Sequence, residues 1–282
     1  MNEAPEAAQP TTSAPQPARR SRWQRFSPSM GWPAFWSEIL IVVLGVVIAL
    51  AASEAVQDFS WRNKVRDGEV RLRADTLRLF VWSAEQFATY PCVDAQLDRL
   101  AANVMASDAV LNPAPVFSDA SIPQNPKFVL RLATRPWRFT AWDALVSDGT
   151  ATHFSQQSQD LYGATSESAA RMRAVRLEFD ELIGRQMATS YPIALDAGVR
   201  MSLLADIELL RRLSLANSIT SRQMMSSLLA GGSAPDVESV ASELEASGTV
   251  KFCKEHELPM ADWRDIRETV VSSISPAPVK SP

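Results

Sequence analysis

Glu38-Ile39-Leu40-Ile41-Val42-Val43-Leu44-Gly45-Val46-Val47-Ile48-Ala49-Leu50-Ala51-Ala52-Ser53 is the stretch on which the fold turns, because no other segment is apolar enough to sit in a bilayer. Its uncharged core, Ile39 to Ser53, rises about 22 Å as a helix, less than the roughly 30 Å of a hydrocarbon core. The flanks supply the difference. From Phe35 to Val56 only Glu38 and Glu54 are charged, each near enough to an end for its carboxylate to reach the headgroups. Trp32, Phe35 and Trp36 provide an aromatic belt on one side, and Phe59 and Trp61 on the other. Residues 31–56 therefore read as a transmembrane helix with its flanks, and the lipid bilayer is the first expected partner.

A cleaved secretory signal competes with this reading. It has a basic n-region in Arg19, Arg20, Arg22 and Arg25, an apolar run, and an exit at Ala49-Leu50-Ala51. The length of that n-region and the lack of a turn-forming residue after Ala51 favour a retained span. Arg19-Arg20 also resembles a twin-arginine signal, but paired arginines beside a span ordinarily hold it in place.

Counting Lys and Arg leaves orientation open. Four lie before the span, and five follow it: Arg62, Lys64, Arg66, Arg71 and Arg73. Glu54, Asp58, Asp67, Glu69 and Asp75 offset the second group, whereas only Glu3 and Glu6 oppose the first. The expected topology is single-pass in a bacterial inner membrane, N-terminus inside and C-terminal domain periplasmic.

The remaining sequence suits one globular domain. Of 282 residues 46% are hydrophobic and 21% charged, and 28 basic against 32 acidic residues give a formal charge of −4. That balance lacks the basic surplus of a nucleic-acid binder. Residues 1–30, rich in Ala, Pro, Gln, Thr and Ser, read as a disordered cytoplasmic tail, and 275–282 as a second tail.

Residues 57–274 read as a helical extracytoplasmic domain. Val65, Val70, Leu72, Leu77, Phe80 and Phe87 continue the helical pattern beyond the span as far as Thr89, where Tyr90-Pro91 is expected to end it. Val93, Leu97, Leu100 and Val104 mark the inner face of a second helix. A proline-rich connector follows, with Pro113, Pro115, Pro123 and Pro126, and then the aromatic group Trp137, Phe139 and Trp142. Met172, Val175, Phe179 and Leu182 define a helix expected to end near Tyr191-Pro192, and Leu195, Val199, Leu203, Ile207 and Leu210 define another. Asn217-Ser218 is a candidate break before Met224, Met225, Leu228 and Leu229, which stop at Gly231-Gly232. Shorter helices around Val240 and Ile266 close the chain. No strand pair with hairpin turns is expected, and the fold class is all-α: one N-terminal transmembrane helix continuing into a helical bundle.

Two stretches carry a resemblance. Ser37 to Leu50, followed by a charged helix, and Thr140-Ala141-Trp142-Asp143-Ala144-Leu145-Val146-Ser147-Asp148-Gly149 are similar to a family of bacterial single-span membrane proteins of unknown function. The resemblance implies a membrane-anchored helical protein and transfers no activity. The exit Ala52-Ser53-Glu54-Ala55-Val56-Gln57 departs from the Asn- and Trp-rich exit of those proteins.

Chemistry in the sequence is sparse. Cys92 and Cys253 are a candidate disulfide closing a long loop in an oxidising compartment, or two unrelated buried thiols. Cys253-Lys254-Glu255-His256-Glu257 offers metal-type ligands, but His153 and His256 are the only histidines, so neither metal nor cofactor is expected. No Gly-x-Ser-x-Gly elbow or phosphate loop occurs, and no enzymatic activity is expected. Gly45, Ala49 and Ser53 form a small-residue stripe, a candidate helix–helix interface for self-association or for another envelope protein. Trp137, Phe139 and Trp142 are either core or the lining of a ligand pocket. The expected role is an interaction, scaffold or assembly component of the envelope, with an extracytoplasmic ligand-sensing module that signals through a partner as the alternative.

Overall fold

The computed structural model describes residues 32–118, 127–233 and 235–274, so both tails read from the sequence lie outside the described residues. The chain divides into two units at Asp58 and Phe59. The described part of the first unit is helical, with Leu40, Ile41, Ile48 and Leu50 all exposed, a stretch long and apolar enough to cross a membrane.

That stretch belongs to α1, Trp32–Ala106, a 75-residue helix. The sequence places its end at Thr89, yet the helix runs through Pro91 and takes in the predicted second helix. Proline has no N–H and so deprives the Phe87 carbonyl, four residues back, of its helical donor. The neighbouring carbonyl, that of Ala88, accepts from the Ala261 N–H at 2.9 Å. The residue after the proline, Cys92, is bonded to Cys253. Arg200 closes the far end of α1 by donating to the carbonyls of Val104, Ser107 and Asp108, where a cation also suits the helix dipole.

The second unit is a helical bundle. After α1 come α2 (Thr140–Ser147), α3 (Gln156–Gln186), α4 (Ala197–Ala230), α5 (Val237–Ala246), α6 (Gly248–Glu255) and α7 (Arg264–Ile274). Side-chain oxygens of Ser155, Asp196, Asp236 and Ser247 cap the starts of α3, α4, α5 and α6 by accepting backbone N–H groups. The expected break at Asn217-Ser218 is absent. Both residues are buried inside α4, on the inner face they share with Ser214 and Ser221. α3 stops at Gln186 and passes into a 3₁₀ turn, Met187–Ser190, just ahead of Tyr191-Pro192.

The proline-rich connector is better anchored than its composition indicates. It contains a two-residue antiparallel ladder, β1 (Phe117–Ser118) with β2 (Lys127–Phe128), which the sequence reading omits. Leu111 and Ala114 donate to the carbonyls of Ile193 and Thr189. Gln96 of α1 acts as a surrogate strand, accepting from the Arg131 N–H at 2.7 Å and donating to its carbonyl at 3.1 Å.

Three apolar clusters form the core among the described residues, the smallest being Cys92, Phe252, Cys253 and Leu258. Leu72, Leu79 and Phe80 of α1 pack with Trp142, Met225 and Trp263. Farther along, Val93, Leu97 and Val104 pack with Phe179, Ile207 and Leu210. Buried polar bonds fix the register between elements. Asp75 accepts from the Ala141 N–H at 2.8 Å and the Thr140 hydroxyl at 3.0 Å, so α1 caps α2. Glu85 accepts from Arg135 at 2.5 Å and from the Ser247 hydroxyl, linking α1 to the connector and to α6. Between these anchors Trp137 is buried in the left-handed region, at φ 44°.

Candidate functional site

A cleft of about 560 Å³ opens in the second unit, within the size range of small-ligand sites. One wall is α1. Glu69, Arg73, Thr76 and Leu77 recur at three- and four-residue spacing, so they share one helical face. Opposite stand Ser158 and Tyr162 of α3, with Phe154 just ahead of that helix. The loop from α4 to α5 completes the enclosure with Gly231, Gly232, Ser233 and Pro235, and the first turn of α5 adds Asp236 and Ser239.

Local structure explains each wall. Gly68 brings α1 against α2 and the cleft floor, since a Cβ there would lie 2.9 Å from Leu145 Cδ2 and 3.3 Å from Phe154 Cζ. At Gly231 a Cβ would lie 2.4 Å from Leu161 Cδ2, so a bare backbone lets the loop close on α3. Gly232 adopts φ 76°, the left-handed geometry that turns the chain out of α4. Tyr162 lies 5.5 Å from the Trp142 ring and 6.0 Å from Phe139, which fixes its phenol at the cleft while its hydroxyl has no partner among the described residues.

Charge on the walls is mixed. Asp236 accepts from the backbone N–H and the hydroxyl of Ser239, and these bonds hold its carboxyl below the ordinary value, so it is ionised. Glu69 and Arg73 are spaced for an ion pair, yet neither is paired or hydrogen-bonded with any described residue. The cleft thus presents one cation, two carboxylates and several hydroxyls around an aromatic and aliphatic floor.

The residues singled out from the sequence fall elsewhere. Cys92 and Cys253 form a disulfide with Cα atoms 5.9 Å apart, both fully buried beside Phe252 and Leu258. Its thiolate is thereby consumed, and His256 packs on the rings of Phe252 and Phe117, at 4.4 and 4.8 Å. No group of three or more His, Cys, Asp or Glu among the described residues is placed to hold a metal ion. Trp137, Phe139 and Trp142 are core: Trp137 packs on Trp82, while Phe139 and Trp142 pack behind Tyr162 and Phe154, which line the cleft. His153 is exposed and stacks on Trp61 at 4.1 Å, with the Lys64 ammonium on the same indole. Gly45, Ala49 and Ser53 lie along an exposed part of α1.

The sequence reading missed Glu69, Arg73, Tyr162 and Asp236 as a group, and took Gly231-Gly232 only as the stop of a helix. The available signal was slight: a glycine pair a few residues ahead of an aspartate-capped helix. No family model matches the chain, and no curated protein or solved structure matches it.

Proposed function

We propose that the chain is a single-pass, membrane-anchored protein of the bacterial inner membrane whose helical domain lies in the periplasm and serves as an interaction, scaffold or assembly component. The observation that carries this reading is α1. One unbroken helix includes both the apolar segment and residues central to the domain core, from Leu72 to Val104. A domain built around its own anchor helix is suited to holding partners at a membrane. The disulfide supports an oxidising compartment, because such bonds are rare among proteins held in reducing cytosol. The bacterial envelope as the setting rests on the resemblance of the Ser37 to Leu50 segment.

A second reading, a ligand-sensing module, is favoured by the cleft. Glu69, Arg73 and Leu77 sit on the helix that also carries the apolar segment, so occupancy would act on α1 directly.

Topology is tested with alkaline phosphatase or a cytoplasm-maturing fluorescent protein fused after Pro282. Phosphatase activity without fluorescence is expected. Fluorescence alone would overturn the periplasmic assignment. A photo-crosslinking amino acid at exposed Leu177 or Met201 then tests the scaffold role, with a discrete adduct to another envelope protein expected in cells.

A further inference from the structure

The cleft presents hydroxyls and charges that have no partner among the described residues. Thr76 is 4% exposed, lines the cleft, and its hydroxyl has no partner among the described residues. Other helical threonines behave differently: Thr89, Thr165 and Thr220 each turn the hydroxyl back onto the carbonyl four residues earlier. A hydroxyl so placed opens onto the cleft and is available to water or to a ligand. The half-buried Tyr162 likewise has a hydroxyl with no partner among the described residues, and the charges of Glu69 and Arg73 are unpaired although their spacing on α1 suits a pair.

We propose that this cleft binds a small zwitterion of the amino-acid or short-peptide class. Its carboxylate meets the Arg73 guanidinium, its ammonium meets the carboxylates of Glu69 and Asp236, and its apolar portion lies on Phe154 and Leu77. Thr76 and Tyr162 supply hydroxyls for the ligand's amide or carboxylate oxygens. A simple anion is disfavoured by two carboxylates facing one cation, and a simple cation leaves Arg73 unanswered. A cleft of about 560 Å³ accommodates a dipeptide with space for bridging water. The proposal concerns binding alone, so it holds or fails independently of membrane topology and of the scaffold role.

The test is calorimetric titration of the full chain in lipid nanodiscs with leucyl-alanine, its N-acetylated form and its C-terminal amide. The free dipeptide is expected to bind saturably and about tenfold or more tightly than either blocked form. Arg73→Met should weaken the free dipeptide about tenfold and erase its advantage over the amide, while Glu69→Gln should reduce its advantage over the N-acetyl form. Both residues are exposed, and unchanged circular dichroism confirms that the variants fold. No saturable binding, equal affinity for all three compounds, or an unaltered acid preference in Arg73→Met would overturn the proposal.

Discussion

Replacing Cys92 and Cys253 together by alanine probes the cross-link that spans most of the domain. The cysteines are separated by 161 positions, and the chain-entropy relation for so long a loop gives about 5 kcal/mol at 25 °C. That figure takes the denatured chain as random, whereas real denatured ensembles are compact, so a loss of about 3–5 kcal/mol is expected. Truncating two fully buried side chains adds a smaller loss in the same direction. The assay is urea denaturation of the full chain in mild detergent, followed by tryptophan fluorescence, for oxidised wild type, reduced wild type and the double alanine variant. Reduced wild type should fall close to the variant, and both well below the oxidised protein. Coincident curves for all three would refute the reasoning, as would thiol labelling of both cysteines in unreduced, denatured protein.

Glu85→Ala leaves Arg135 and Ser247 without their acceptor. Breaking a buried pair costs roughly 3–5 kcal/mol, and the Arg135 side chain, 34% exposed, can turn to water, so denaturant melts should show a loss near 3 kcal/mol. Glu85→Gln keeps an acceptor for Ser247 and should lose less. Gly68→Ala should be close to neutral, since a gain in helix propensity of about 1 kcal/mol offsets mild crowding of Leu145, whereas Gly68→Val should cost about 1–3 kcal/mol by displacing Leu145 and Phe154. Equal stability of the two Gly68 variants in the same melts would contradict the close packing described. The lowered pKa of Asp236 gives stability that is fully present above the ordinary aspartate value of 3.8 and lost as the pH falls through the lower folded value. The advantage of wild type over Asp236→Asn in thermal melts should therefore shrink below about pH 3.8 and hold steady above it.

Helix faces were the most legible part of the sequence. Leu97, Leu210 and Met225 recur at helical periods, and all are buried as that pattern requires. Pro91 misled because its local effect is real, but the Ala261 N–H and Cys253 that tie α1 down on either side of it come from residues more than 150 positions away. Asn217-Ser218 misled for a related reason: polar side chains read as a break when their neighbours are unknown, yet they sit within a packed helix face. The cleft escaped notice because its walls come from three separate segments. On α1, Glu69 and Arg73 have the spacing of any solvated helix surface, and only the position of the Gly231-Gly232 turn against Leu161 makes them a wall.

The position of the disulfide has a consequence for proteolysis. A single cut anywhere between residues 93 and 252 leaves both fragments covalently joined through Cys92 and Cys253. Since Cys92 lies on α1, both remain attached to the helix bearing the apolar segment. A protease acting once on the connector or on the α3–α4 turn nicks the domain without shedding it. Release requires reduction of the bond, or a cut between the apolar segment and Cys92.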